Sequence, residues 1–332
     1  MIEIVFLIAV ALVLFWTFWS GFSDASNAIT TVVATRVLTP MQAVMLAAFG
    51  NLIGMFLGEA VAATIGKGLI DPTVVSGFLV IAAILGGMVW EIITYRRGIP
   101  ISETQVLIGT LIGGAIAARG IEVVKWENVL GKTLIPMAIA PLIAFIGVII
   151  FVAIILRVIR NVPQHISNIY FKKLQVLSSL FFSISHGAND GQKSTGLLIA
   201  MFIFYNMATP GEAIPFWLKL VTFLALSFGT LFGGWRIVKT MGFKLARIKP
   251  WQGFAAETSA ALVVAGASAI GSPLSTSQTV SGSIIGVSAA KGGHAMRASV
   301  LREILIGWVL TIPVSILLGF LAYKIGALVL GF

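Results

Sequence analysis

Long apolar runs are the feature that most restricts what this chain can fold into. Residues 4–22 form the first of about ten such runs, and several are long enough to cross a lipid bilayer. Only 10% of the residues are charged, against about 25% in soluble domains. In lipid, only helices and closed barrels satisfy every backbone polar group, and these runs lack the alternation of barrel strands. The sequence therefore predicts an all-α polytopic membrane protein.

The charged residues are arranged as in a membrane protein, although the formal net charge is +10. Lys and Arg lie in short runs between apolar segments, which indicates cytoplasmic loops and not nucleic-acid binding. The run 157–173 carries Lys and Arg without any Asp or Glu, and we interpret it as a basic cytoplasmic linker. It would separate a first membrane repeat, 1–156, from a second, 174–332. A second acid-free basic loop, 236–249, is expected on the same side.

The two halves share an internal repeat. "PISETQVLIGTLIGGAIAARG" from Pro100 aligns without gaps on "PLSTSQTVSGSIIGVSAAKGG" from Pro273, and both contain the pattern P-x-S-x-[ST]-Q. Earlier in each half, Asp24 and Asp190 follow a glycine at equivalent positions, 166 residues apart. Each half thus has the same order: a polar Gly-Asp stretch that we expect to break a helix, then apolar spans, then the shared pattern.

Paired repeats with interrupted segments are typical of transporters whose binding site lies between the repeats near the membrane midplane. We therefore expect about ten to twelve membrane segments in total, some of them broken or re-entrant. Such repeats favour alternating access over a passive channel. The absence of cysteine excludes disulfides and thiolate metal sites.

The two repeated aspartates are candidate cation ligands. An ionised Asp at membrane depth costs about 2.5–3.5 kcal/mol, so Asp24 and Asp190 need a partner or a water-filled cavity. With the amide oxygens of Asn27 and Asn189 they offer hard oxygen ligands, which suit Na⁺ or a proton. The alternative is that both aspartates cap helices. We expect a structural role for His186.

The P-x-S-x-[ST]-Q copies supply the complementary chemistry. Proline ends one half-helix, hydroxyl and amide donors follow, and the next half-helix begins with free N–H groups, an arrangement that binds anions. Together with Asp24 and Asp190, the predicted substrate site comprises Ser102, Thr104, Gln105, Ser275, Ser277 and Gln278. Capping of the following helix is expected as well for one residue per copy. The roles of Glu59, Glu91 and Glu257 stay open.

These motifs resemble those of the inorganic phosphate transporter (PiT) family. "HGANDGQK" at His186 to Lys193 is similar to its second-half signature, "GFSDASNA" at Gly21 to Ala28 to its first, and the paired P-x-S-x-[ST]-Q segments to its second motif. Two residues depart from the family pattern: Ser23 stands where Asn is usual, and Glu103 where small residues are usual. The departures put the ion stoichiometry in doubt more than the membership.

The resemblance implies a transporter built from two inverted repeats with broken helices and re-entrant hairpins. It further implies a homodimer that moves phosphate with a coupling cation. It makes two sets of residues site candidates: for the cation and phosphate site, Asp24, Asn27, Asn189 and Asp190; as phosphate ligands, Thr104, Gln105, Ser277 and Gln278.

The predicted function is import of inorganic phosphate by symport with a cation across the inner cell membrane. Two buried carboxylates beside a phosphate imply at least two cations, and the neutral amide oxygens favour Na⁺ over H⁺. We expect Na⁺ as coupling ion and no other cofactor.

Two alternatives remain for the function. Another tetrahedral oxyanion such as sulfate could use the same donors. An intramembrane hydrolase could use Ser185, His186 and Asp190. It is disfavoured because adjacent helical side chains point about 100° apart, so we expect no enzyme.

Overall fold

The all-helical prediction is confirmed. The computed structural model describes residues 2–245, 248–290 and 297–330. Helix accounts for 84% of the protein, and no β-strand occurs within the described ranges.

The first half of the chain contributes seven α-helices. They are α1 (Ile2–Ala34), α2 (Pro40–Ile53), α3 (Ala60–Ala63), α4 (Gly77–Arg97), α5 (Glu103–Arg119), α6 (Trp126–Asn128) and α7 (Ile135–Val158). A π-helical turn, Thr64–Gly68, continues α3, and another, Val129–Leu134, joins α6 to α7. As a result, 126–158 forms one continuous helical span.

The second half contributes six more helices within the described ranges. They are α8 (Gln164–Phe204), α9 (Phe216–Thr230), α10 (Trp235–Val238), α11 (Pro250–Ala269), α12 (Thr276–Ala289) and α13 (Ala298–Leu330). Because α8 already begins at Gln164, most of the expected linker 157–173 is helical. The expected loop 236–249 is also helical as far as Leu245, and its Arg247 lies outside the described residues.

Several helices qualify as membrane spans. Four in the described ranges are long and apolar enough to cross a bilayer: 3–34, 77–97, 126–158 and 298–329. Two bent pairs, α2 with α3 and α9 with α10, raise the number to six if each pair is one span; their bends are 71° and 54°. α5 and α12, with 17 and 14 residues, are shorter than a full span. The number of spans is lower than the expected ten to twelve because only long and apolar helices are counted, and α5 and α12 are too short.

The Gly-Asp stretches do not break their helices, contrary to expectation. α1 runs unbroken through Gly21 and Asp24, and α8 through Gly187 and Asp190. The glycines serve close helix contact instead. A Cβ on Gly21 would lie 2.0 Å from the carbonyl oxygen of Leu226, and one on Gly187 would lie 2.3 Å from that of Asn51. Each glycine lets the polar middle of its helix pack directly on a neighbouring helix.

The breaks in the shared pattern lie where the sequence places them. α4 ends at Arg97, followed by Gly98 at φ 70° in the left-handed region, and α5 begins at Glu103 after Pro100. The corresponding break separates α11 from α12 around Pro273. The first turns of α5 and α12 therefore begin inside the protein.

Helix packing pairs the two halves. α1 packs on α9 and α4, and α8 packs on α2 and α11. α5 packs on α13 and α4, whereas α12 packs on α7 and α11. These contacts are equivalent in pairs. The contact of α1 with α9 corresponds to that of α8 with α2, and the contact of α1 with α4 to that of α8 with α11. Likewise, the contacts of α5 with α13 and α4 correspond to those of α12 with α7 and α11. The polar middles of α1 and α8 and the first turns of α5 and α12 meet at the centre of this arrangement.

Candidate functional site

The two repeated aspartates come together in the protein interior. Asp24 on α1 is 4% exposed and Asp190 on α8 is 3% exposed. One oxygen of each carboxylate and one ring nitrogen of His186 all lie within 4.8 Å of one another. Neither aspartate caps a helix, since both lie well inside theirs. The predicted pairing of the two carboxylates is therefore present in the structure.

Asp190 contacts two basic side chains on its own helix and a hydroxyl on α12. Its Oδ1 lies 2.6 Å from Nζ of Lys193, and its Oδ2 lies 3.2 Å from Nε2 of His186. The hydroxyl of Thr276, on α12, donates to Oδ2 at 3.4 Å. Because the other ring nitrogen of His186 is 2.9 Å from the amide oxygen of Asn51, the imidazole is fixed between α2 and α8. Since the ammonium of Lys193 is the nearest of these partners to Asp190, it balances the charge of that carboxylate.

Asp24 has a different environment. It forms no ion pair within the part of the chain that the structure describes, and its electrostatic neighbours are two acids, Glu103 and Asp190, and the more distant ammonium of Lys193. A cavity of about 10 Å³ is lined by Asp24, Glu91 and Glu103 among others, which is close to the volume of one water-sized particle. Glu91 accepts from the indole of Trp16 at 3.0 Å, and Glu103 accepts from Ser23. This half of the site therefore gathers three acidic side chains around one small cavity, with no basic group at ion-pair distance from Asp24 among the described residues.

The two predicted asparagine ligands, Asn27 and Asn189, have different hydrogen-bond partners. Asn27 donates to Thr276 Oγ1 at 3.3 Å, and its amide oxygen is buried with no hydrogen-bond partner in the described structure. That oxygen is available as a cation ligand. The amide oxygen of Asn189 instead accepts from the backbone N–H of Leu274 at 3.3 Å, and its Nδ2 donates to Ser268 at 3.0 Å. Asn189 therefore holds the α11–α12 connection in this structure, and its role as a cation ligand stays a prediction.

The first serine of each shared pattern is a helix cap. Ser102 Oγ accepts from the N–H of Gln105 at 3.1 Å, and Ser275 Oγ accepts from the N–H of Gln278 at 3.2 Å. Capping satisfies one N–H that the first turn of a helix leaves free. Ser102 and Ser275 therefore position the site, and the predicted contact of their hydroxyls with substrate stays a prediction.

The next residues of the two patterns make reciprocal contacts. Thr104 donates to the carbonyl of Leu274 at 2.6 Å, and Ser277 donates to the carbonyl of Ile101 at 2.5 Å. The offset of 173 residues exchanges the two contacts, since Ser277 is the counterpart of Thr104 and Leu274 is the counterpart of Ile101. The start of α5 is thus bonded to the segment before α12, and the start of α12 to the segment before α5.

The two glutamines meet between the first turns of α5 and α12. Gln278 Nε2 donates to Gln105 Oε1 at 3.2 Å. Both side chains line a cavity of about 470 Å³ whose remaining wall is mostly apolar, with Phe145 and Trp308 among its residues. The structure therefore brings both predicted glutamines together, one from each half.

The remaining acids lie in separate places. Glu257 is fully buried and accepts from Thr31 and Ser178. Glu59 forms a 2.6 Å ion pair with Lys219 and is only partly buried. Each of these acids has its own polar partners, whereas Glu91 and Glu103 each keep one oxygen without a hydrogen bond in the described part.

The sequence predicted the contacts of three site residues only in part or not at all. Thr276 had no signal beyond its place in the repeat. His186 was expected to be only structural, yet its ring contacts Asp190. Lys193 could be placed on the same helix face as Asp190 from its spacing, but its contact with the hydroxyl of Thr104 on α5 required the fold.

The geometry does not assemble a hydrolase. The hydroxyl of Ser185 donates to the carbonyl of Phe181 at 2.9 Å, one turn earlier in α8. His186 directs its two ring nitrogens to Asn51 and Asp190. What the structure shows is a multi-pass helical membrane protein with a buried site of acids, an ammonium group and two helix N-termini.

Comparison with known proteins identifies the family. The sequence profile described as "Phosphate transporter family" matches residues 20–319. The chain belongs to this family, and it is therefore a transporter and not an enzyme.

Similar proteins agree over nearly the whole chain. A "Probable low-affinity inorganic phosphate transporter" of Rhizobium meliloti (strain 1021) is 40% identical over 95% of this chain and 94% of that relative. A protein of the same description from Bacillus subtilis (strain 168) is 36% identical over 93% of both chains. A solved structure titled "The sodium-dependent phosphate transporter" matches with a TM-score of 0.85 and 25% identity, over 98% of this chain and 99% of that one.

Proposed function

We propose that this protein imports inorganic phosphate by symport with a cation, Na⁺ in preference to H⁺, and that it works by alternating access between two inverted repeats. The observation that carries the proposal is the meeting of Asp24 and Asp190 within 4.8 Å, beside the first turns of α5 and α12. Acids and helix N-termini in one buried site suit a cation and an anion that bind together.

The cation is assigned to the Asp24 half of the site. Asp24 has no ion-pair partner among the described residues, and the amide oxygen of Asn27, one turn further on the same face, is unpaired. A carboxylate with a neutral amide oxygen suits a hard metal ion, whereas a proton needs the carboxylate alone. The solved structure similar to this chain is titled sodium-dependent, which supports the same choice.

The anion is assigned to the facing starts of α5 and α12. Each helix N-terminus carries roughly half a positive charge and unpaired N–H groups, so two of them attract an anion from both sides. The hydroxyls of Thr104 and Ser277 are engaged with carbonyls in this structure, and Thr104 also contacts the ammonium of Lys193. An ammonium beside two helix N-termini favours a multiply charged oxyanion such as phosphate.

The reciprocal contacts offset by 173 residues, and the exchangeable helix packing, support the inverted repeats. Alternating access then follows from moving one repeat against the other around a fixed central site. The homodimer and the inner cell membrane, expected from the family resemblance and the basic loops, are part of this proposal.

Sodium coupling is tested by replacing the cation at constant pH. We expect uptake of labelled phosphate into proteoliposomes to fall to the protein-free level when choline replaces external Na⁺ at equal pH on both sides. The pH is kept symmetric so that no proton gradient contributes. Undiminished uptake would contradict sodium coupling and leave the proton as the coupling ion.

Removing the glutamine amides is expected to weaken phosphate binding more than cation binding. In Gln105→Ala and Gln278→Ala, an amide next to the proposed anion site is lost. An unsatisfied buried polar group costs about 1–3 kcal/mol, or roughly 5- to 150-fold in affinity. The measurement is isothermal titration of each variant with phosphate at saturating Na⁺, and with Na⁺ at saturating phosphate. If sulfate showed the dependence and phosphate did not, the assigned substrate would be wrong.

A further inference from the structure

Lys193 is in an unusual position for a lysine. Its side chain is 2% exposed, deep in the middle of α8. The ammonium contacts two oxygen atoms: Asp190 Oδ1 at 2.6 Å and the hydroxyl of Thr104 in the first turn of α5. A carboxylate oxygen and a hydroxyl oxygen are also the ligands that a hard monovalent metal ion would use.

The repeat relates this position to an uncharged one. Residues of α1 and α8 correspond at an offset of 166, so Lys193 is the counterpart of Asn27, as Asp190 is of Asp24. Residues of α5 and α12 correspond at 173, so Glu103 is the counterpart of Thr276. Asn27 contacts Thr276 at 3.3 Å, and in the other half Lys193 and Glu103 occupy the corresponding positions and attract each other electrostatically.

The two halves therefore differ by one positive and one negative charge. The ammonium of Lys193 contacts the carboxylate of Asp190, whereas Asp24 has no cation at ion-pair distance among the described residues. Glu103 repels both aspartates and attracts Lys193. The net charge of the whole site is the same as it would be with Asn and Thr in both halves. What changes is the number of positions left for a free cation, because the ammonium of Lys193 already fills the one between Asp190 and Thr104.

We propose that the ammonium of Lys193 is a built-in counter-ion that occupies the position of one coupling cation, so that free cations bind only in the Asp24 half. This rests on the proposed cation symport. A tethered ammonium cannot leave with phosphate, so it supplies charge at each turnover without being transported. The protein then moves one cation fewer per phosphate than a transporter with Asn in both halves.

The test is the number of Na⁺ ions bound, compared between the wild type and Lys193→Asn. This variant places in the second half the residue that the first half already has. We expect purified Lys193→Asn to bind one more ²²Na⁺ per chain than the wild type at saturating phosphate, measured by equilibrium dialysis. The steepness of Na⁺ activation of phosphate uptake should rise with it.

A matched control removes another lysine from another carboxylate. Lys219 lies 2.6 Å from Glu59, the same separation, but in a partly exposed pair far along the sequence from the site. We expect Lys219→Asn to bind the same number of ²²Na⁺ ions as the wild type. If Lys193→Asn does not fold, Lys193→Asn with Glu103→Thr keeps the net charge and makes the two halves alike, and it should bind the extra ion.

The number of bound Na⁺ ions tests the role of Lys193 and sodium coupling separately. The difference between variant and wild type decides the role of Lys193: one additional Na⁺ supports it, and an equal number in both folded variants overturns it. The absolute number in the wild type decides sodium coupling, since a wild type that binds no Na⁺ contradicts that proposal whatever the difference is.

Discussion

Phosphate uptake is expected to fall to background in Asp24→Asn. The substitution removes the carboxylate that has no ion-pair partner among the described residues, and with it the charge that a bound cation would balance. Loss of one member of a buried charge pair costs about 3–5 kcal/mol, which corresponds to a decrease of roughly 100-fold or more in cation affinity. The measurement is Na⁺-driven uptake of labelled phosphate into proteoliposomes, with equal amounts of protein.

The same variant is expected to fold normally. In the absence of the ion, Asp24 and Glu103 repel each other, so an amide at position 24 leaves no charge without its partner. The apparent melting temperature in detergent should therefore match that of the wild type or exceed it. Glu59→Gln, which alters a partly exposed carboxylate outside the site, is the control for both measurements. Wild-type uptake by Asp24→Asn would show that Asp24 is not a cation ligand, and its loss from the membrane would show that Asp24 has a structural role.

Local signals in the sequence were sufficient where covalent geometry decides the structure. Pro100 and Pro273 cannot continue a helix, and the serines two residues later are favoured caps, so the breaks before α5 and α12 were predictable. The long apolar runs likewise predicted helices because lipid leaves few other choices.

Glycine gave the wrong prediction in α1 and α8. A glycine beside an aspartate is compatible both with a broken helix and with close packing, and the sequence alone does not distinguish them. The structure shows that Gly21 and Gly187 make room for backbone atoms of α9 and α2. The actual bends lie between α2 and α3 and between α9 and α10. This choice depends on a neighbouring helix that is distant in sequence.

The candidate site was predictable as a set of residues but not as a set of contacts. Repeat positions brought Asp24 together with Asp190, and Gln105 with Gln278. The sequence did not show that the amide oxygen of Asn189 is engaged by a backbone N–H. Nor did it show that Glu103 lies beside Asp24. Those contacts join α1, α5, α8 and α12, and they exist only once the helices are packed.

Asp190→Asn is expected to differ from Asp24→Asn, although the two aspartates are equivalent in the repeat. Asp190 pairs with Lys193, whose ammonium is buried and has no other carboxylate at ion-pair distance among the described residues. Removing one partner of a buried ion pair destabilises a protein by about 3–5 kcal/mol because the other charge stays desolvated. We therefore expect a lower apparent melting temperature and a smaller yield of folded protein, in addition to lost uptake.

The double variant Asp190→Asn with Lys193→Met separates this cause from a general loss of packing. Methionine keeps most of the volume of lysine without its charge, and replacing both members of a buried pair by neutral groups is often neutral for stability. The double variant should regain most of the melting temperature that the single variant loses, while uptake stays at background because neither Asp190 nor a built-in cation is present. Equal melting temperatures for Asp190→Asn and Asp24→Asn, or no recovery in the double variant, would mean that Lys193 does not depend on Asp190 for its burial. The two halves of the site would then be alike in energy although Lys193 and Asn27 differ in charge.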